Sequence, residues 1–503
     1  MPRSIDDDFR ALPLQLLADA ALSRARDLGV SHADVRVERI RTAALRLHDA
    51  RPETSYDEEE RGLCVRVIHD GTWGFAGGAV LTPEAAAALA DEAVAIAKAS
   101  RPVNTEPVEL APEPTYAGVT WVSDYDIDPF DVPEADRVGL LQDWSRRLLD
   151  HGSVHHTDAT LRQVKENKFY ADLSGTSTTQ QRVRVLCELE AAWVDARSGR
   201  FESMRTLAPP VGRGWEFLTR RDIYDWDEEL TEIPMLLAEK AAAPSVDAGN
   251  YDLVIHPSNL FLTIHESIGH ATELDRALGY EANYAGTSFA TPDQLGSLVY
   301  GSPVMHVTGD RQAQYGLATI GWDDEGVAAQ TWDIIKDGTL VGYQLDRRIA
   351  RHTGQTRSNG CAFADSPLHV PIQRMANVSL QPAADGPSTD ELIAGVDNGI
   401  YIVGDKSWSI DMQRYNFQFT GQRFYRIRNG QLGGMLRDVA YQATTTDFWR
   451  SMEAVGGPDT YELGGAFNCG KGQPGQTAPV SHGCPTALFR GVRILNTMAE
   501  AAS

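Results

Sequence analysis

From Tyr251 to Gly279 the chain reads as one continuous piece of buried structure, with His265, Glu266 and His270 set inside it. Tyr251-Asp252-Leu253-Val254-Ile255 has the character of a buried strand. His256-Pro257-Ser258 turns the chain, and Pro257 or Ser258 suits a helix start. Leu260, Phe261, Ile264, Ile268, Ala271 and Leu274 then recur at near-helical spacing until Gly279, a suitable stop. Inside this stretch runs His265-Glu266-Ser267-Ile268-Gly269-His270. Imidazole is a good zinc ligand, and a carboxylate beside a metal can take a proton from water. The motif is one residue longer than the common H-E-x-x-H. On a straight helix His265 and His270 would point about 140° apart, too far to share one ion. A single π turn absorbs one extra residue, and Gly269 offers backbone freedom for such a distortion. The plain alternative is a surface pair between Glu266 and His270, four residues apart on a regular helix.

A catalytic zinc site uses three protein ligands and keeps one position open. Downstream donors are Glu273, Cys361, Cys469, His482 and Cys484. Glu273 follows His270 by three residues, near enough to support it but awkward as a ligand on the same helix. Cys361 reads as a small buried apolar residue. Cys469 stands in a glycine-rich run from Gly456 to Gly483, whose tight turns can bring a thiolate to a metal. Spacing favours Cys469 only modestly over Cys484.

The chain resembles the TldD/PmbA family of metallopeptidases, in particular its metal-bearing TldD branch. The resemblance rests on His265-Glu266-x-x-x-His270, Asp323-Asp324-Glu325-Gly326, Arg357-Ser358-Asn359-Gly360 and Cys469-Gly470-Lys471. Arg374-Met375-Ala376-Asn377 and Asn416-Phe417-Gln418-Phe419 add to it, and it extends from about Ala33 to the C-terminus. It implies His265, His270 and Cys469 as ligands of one zinc ion, with Glu266 as general base. It also implies extended, unfolded peptides as substrates, and a two-subunit assembly with a PmbA/TldE-like partner or as a homodimer. Ser481-His482-Gly483-Cys484 departs from the family pattern, as a loop variation or as the source of an alternative ligand.

At 503 residues the chain exceeds a single core. Ala243-Pro244-Ser245-Val246-Asp247-Ala248-Gly249 reads as a joint. An N-terminal α/β domain over 1–243 is expected to precede a β-rich, barrel-like catalytic domain over 250–503, a mixed α+β chain. In the first part Leu14–Leu28 reads as an amphipathic helix and Ala33–Ile40 as a half-buried strand. Asp70-Gly71 signals a hairpin, and Thr82-Pro83 opens an alanine-rich helix. Thr160–Val164 and Arg182–Leu189 alternate as further strands, and Leu218–Ala243 is helix-rich. Short strands such as Thr339–Tyr343 and Gly399–Val403, set between Gly/Pro turns, suggest a closed sheet in the second part, and the resemblance implies the same.

A formal net charge of −24 opposes binding to nucleic acid. No apolar run spans a membrane, the acidic N-terminus lacks the order of a secretory signal, and five scattered cysteines suit a reducing cytoplasm. Other polar residues draw plainer readings. Asp323-Asp324-Glu325 reads as a solvated acidic turn before it reads as a second cation site. His306 reads as a satisfied sheet residue, Trp408 as core, and His352 and His369 have no spacing that ties them to the motif. The expected activity is zinc-assisted peptide hydrolysis. The rivals are a zinc hydrolase of a small amide or ester and a non-proteolytic subunit of a heteromeric complex; the intact motif argues against the last.

Overall fold

The computed structural model describes residues 3–501. Its N-terminal sheet contains β1 (His32–His48), β2 (Arg51–His69), β3 (Thr72–Gly78), β4 (Ala117–Val122), β5 (His156–Asp172), β6 (Ser177–Val194) and β7 (Phe201–Arg205). The strands lie in the order β3-β2-β1-β5-β6-β4, with β7 also beside β6. Only β4 runs parallel to its neighbour. Asp70 and Gly71, both left-handed at φ 47° and 66°, form the two-residue turn between β2 and β3.

Side chains alternate across a strand, so the odd-numbered residues of β1 share one face. Val35 and Val37 pack with the helices Leu14–Asp27 and Pro83–Ser100, the latter capped by the Thr82 hydroxyl accepting from Ala85 N at 3.2 Å. Leu45 and Leu47, further along the same face, pack with the helices Glu134–Leu149 and Trp226–Ala242. The other face carries Asp34, Arg36 and Glu38, and it is buried as well. Across it lies the Asp323-Asp324-Glu325 segment. Asp324 accepts from Arg36 at 3.0 Å and Lys168 at 2.5 Å, and Glu325 pairs with Arg66 at 2.9 Å. This corrects the reading of those acids as a solvated turn: they dock the two halves of the chain, and burial of opposite charges together explains why they sit inside.

In the second half β8 (Gly249–Ile255), β9 (Asn398–Ile410), β10 (Asn416–Arg428), β11 (Val439–Thr444) and β12 (Ala487–Asn496) close on themselves. The ring runs β9-β8-β12-β11-β10 and returns to β9 through the β9–β10 pairing. Only β8 and β9 are parallel. Closure leaves no free edge in the ring. The helix Pro257–Ile264 leaves β8 and buries Leu260 and Ile264 in the same core as Phe417, Phe419 and Tyr441. A hairpin of the strands Glu462–Lys471 and Gln476–Cys484 packs against that helix. The fold is thus α+β, with a five-stranded barrel and a β-rich C-terminal region. Among the described residues no helix is long and apolar enough to cross a membrane.

Candidate metal centre

The helix that starts at Pro257 is regular to Ile264, widens into a π turn over His265–Gly269, and tightens to a 3-10 turn at His270–Thr272. It breaks at Glu273, which is extended, so the expected single helix to Gly279 is interrupted. Neighbouring side chains hold the wide turn. Tyr300 donates its hydroxyl to Ser267 O, Thr272 Oγ1 donates to Ile268 O at 2.8 Å, and Gln344 Nε2 to Gly269 O at 2.7 Å. Ser267 Oγ donates to Thr263 O at 2.6 Å and accepts from Trp449 Nε1 at 2.9 Å. Gly269 has an ordinary helical φ of −52°. Its role is space rather than backbone freedom, because an added Cβ would lie 2.6 Å from Met375 Sδ.

The π turn brings His265 and His270 onto one side, with ring centroids 4.7 Å apart. Cys469, from the hairpin, completes a buried group whose possible ligand atoms all lie within 4.8 Å of one another. Its Sγ is 3.5 Å from His270 Nε2. For zinc bonds of about 2.0–2.1 Å to nitrogen and about 2.3 Å to sulfur, a tetrahedral N···S edge is about 3.5 Å. The donor set therefore fits zinc in chemistry and in size.

His270 Nδ1 faces Glu273 Oε2 at 2.8 Å, and Glu273 is held in turn by Lys471 at 3.0 Å. Burial pushes the Glu273 carboxyl up, but Lys471 and His270 outweigh it and hold the group well below the usual range. Lys471 also contacts Asp275 at 2.7 Å and Gln373 at 2.8 Å. Arg374 donates to Cys469 O at 2.5 Å and to Gln476 O at 3.0 Å, fixing the strand that carries the thiol. His265 Nδ1 lies 2.7 Å from His482 Nε2, and His482 Nδ1 lies 2.8 Å from Val378 O. Burial lowers the basicity of both rings, that of His482 strongly.

Glu266 is buried and ion-paired with Arg414. Burial raises its carboxyl, yet His265, His270 and Arg414 together bring it below its ordinary value. The carboxylate is thereby kept ionised, as a proton acceptor must be. Arg414 comes from the turn between β9 and β10, and no spacing in the sequence singles it out, although Asn416-Phe417-Gln418-Phe419 begins two residues later.

The remaining candidates lie elsewhere. Cys484 directs Sγ at Pro257 O, 3.7 Å away, and burial raises its thiol far above the ordinary value. Cys361 is buried and pushed up to about 12. Neither joins the histidines, and thiols so disposed stay protonated. His352 faces Glu106 and His369 faces Asp365, both on half-exposed surface. His306 pairs with Asp337 at 3.5 Å outside the regular strand, and Trp408 is 52% exposed rather than core. A second His/Asp grouping, His48–Asp49–His156, sits at the sheet's exposed end, where both imidazoles already face aspartates.

The chain is similar to known proteins over most of its length. The profile of the PmbA/TldA metallopeptidase C-terminal domain matches residues 248–496, and that of PmbA/TldA metallopeptidase domain 1 matches residues 33–97. A metalloprotease of Methanothermobacter thermautotrophicus is 27% identical over 93% of this chain and 96% of its own length. A zinc metalloprotease TldD homolog of Saccharolobus solfataricus is 23% identical over 94% of this chain and 98% of its own. Among solved structures, TldE from Thermococcus kodakarensis superposes with a TM-score of 0.67 at 14% identity, covering 94% of this chain and 98% of that one. With both domain profiles matched in order along its length, the chain belongs to the PmbA/TldD family of metallopeptidases.

Proposed function

We propose that the chain is a zinc-dependent peptidase that hydrolyses unfolded or extended peptides, with His265, His270 and Cys469 holding one zinc ion and Glu266 as general base. The observation that carries this reading is the π turn, which puts both histidines beside Cys469 in one buried cluster and carries buried Glu266 on the same turn. A zinc ion held by His265, His270 and Cys469 would lower the pKa of water from 15.7 toward about 7 and would polarise a carbonyl. Glu266 accepts the water's proton at its carboxylate and returns it to the leaving amine. Arg414 keeps Glu266 ionised and oriented. Glu273 and Arg374 hold His270 and the Cys469 strand in place. Half-exposed Trp408 and Met412, on the strand and turn that deliver Arg414, offer apolar surface to the side chains of an extended peptide.

The family resemblance supports pairing with a PmbA/TldE-like subunit or a second copy, and five unpaired cysteines suit the cytoplasm. The test uses zinc-loaded protein, purified with its native partner, on an unfolded peptide pool read by mass spectrometry, wild type against Glu266→Gln. Cleavage reduced about 10²–10⁴-fold in the variant is expected. Equal cleavage by both overturns Glu266 as base. Hydrolysis of small amides or esters with every peptide left intact moves the assignment to a small-amide hydrolase.

A further inference from the structure

One hydrogen-bond chain at the centre ends on a group that can only accept. Val378 O, 2.8 Å from His482 Nδ1, is a backbone carbonyl, so Nδ1 of His482 carries the proton. His482 is fully buried, and its polar partners are this carbonyl and His265, with no carboxylate bonded to balance a charge. The ring is therefore neutral, and its Nε2 holds a lone pair. His265 Nδ1, 2.7 Å from that nitrogen, must donate, which leaves Nε2 of His265 as the nitrogen free for a cation.

We infer that His482 is a positioning residue that fixes the tautomer and ring orientation of His265 for zinc, and is not itself a ligand. The inference rests on His265 being a zinc donor, as proposed above. The strand of His482 is pinned on either side of the ring. Asn377 Oδ1 accepts from Ser481 N at 3.2 Å, and Ser379 Oγ accepts from Gly483 N at 2.9 Å. The same hairpin carries Cys469, so donor thiol and imidazole anchor arrive together. The two zinc histidines are thus held by unlike acceptors, Glu273 for His270 and a neutral imidazole for His265. A carboxylate raises the basicity of the ligand it holds more than a neutral acceptor does, so His482 orients His265 without adding charge to a site that already has a thiol donor. This role accounts for a histidine in the stretch Ser481-His482-Gly483-Cys484.

The test is zinc affinity of the full chain by chelator competition, with cobalt substitution to report the donor set, and no substrate is needed. His482→Leu removes the acceptor and is expected to weaken zinc binding about 10–100-fold while one ion per chain and the thiolate-to-cobalt charge-transfer band persist. His482→Gln, whose side-chain oxygen can accept from His265, is expected to restore affinity close to wild type. Nitrogen NMR of the metal-free wild type reports the tautomer directly, with the proton expected on Nδ1 of His482, and does not depend on either variant folding. Wild-type affinity in His482→Leu, a cobalt spectrum one donor short in both variants, or a proton on Nε2 of His482 each overturns the inference while leaving the peptidase reading standing. A wild type that takes up no zinc overturns the zinc reading and this inference with it.

Discussion

Arg414 has φ 63°, a left-handed conformation that costs a non-glycine residue roughly 1 kcal/mol or more. The cost is met by Asp411, whose carboxylate accepts from Gln413 N at 3.0 Å, Tyr415 N at 2.8 Å and Asn416 N at 2.9 Å, and by Thr445, which donates to Arg414 O at 2.7 Å. A turn held this firmly aims one guanidinium at Glu266. Arg414→Met is expected to lower kcat by about 10²-fold, the usual effect of losing one preorganised donor at a reacting centre. Its zinc content should match wild type, while its melting temperature should fall, because the buried Glu266 carboxylate loses its partner. Steady-state rates with metal analysis check this, and an unchanged kcat would remove Arg414 from the mechanism.

At the scale of the element, the π turn is what lets two histidines five residues apart share one side of a helix. The angular argument identifies it from spacing alone, because about 140° of divergence leaves few other solutions. The purpose of Gly269 does not follow from spacing, since the residue it makes room for, Met375, is more than a hundred positions away. Gly269→Ala is expected to destabilise the chain by about 1–3 kcal/mol through overpacking, because Met375 is itself 1% exposed and has nowhere to move. Adding Met375→Ala should recover part of that loss. A double-mutant cycle in urea measures the coupling, and strict additivity would show that the close approach is harmless.

Across the whole molecule, the two halves meet through charges. Arg66 sits between Asp34 at 2.7 Å and Glu325 at 2.9 Å, all three nearly inaccessible. Burial pushes the Asp34 carboxyl up, but Arg66 and His32 more than offset it and hold it at about 2, against an ordinary 3.8. A carboxyl depressed by folding stabilises the native state above its unfolded value and loses that contribution as pH falls. Asp34 therefore contributes about 2 kcal/mol that is present above pH 4 and disappears toward pH 2. Asp34→Asn is expected to cost about 3 kcal/mol at neutral pH, since it strips one of Arg66's two carboxylates. It should also flatten the acid loss between pH 4 and 2. Denaturant unfolding at several pH values reads both effects, and a variant with the wild-type acid slope would contradict them.

Local pattern is enough for a good part of this protein. Asp70-Gly71 marks a hairpin because the pair tolerates left-handed backbone, Thr82-Pro83 marks a helix start because both residues suit its first turn, and His265 to His270 demand a π turn by arithmetic. Each signal is contained within a few residues, so no distant contact is needed to read it. Ala33–Ile40 shows the limit. Its alternation is that of a strand with one wet face, and it is a strand, but the polar face is buried under Asp324 and Glu325. The two C-terminal thiols show it again. Cys469 and Cys484 are near equals by spacing, and only the register of the hairpin sends one thiol to the histidines and the other to Pro257 O. Arg414 and His482 belong to the same class, because their partners lie 148 and 217 residues away. Period and propensity determine what a segment becomes; which faces meet is decided by chain closure, and with it which buried charges and lone pairs find partners.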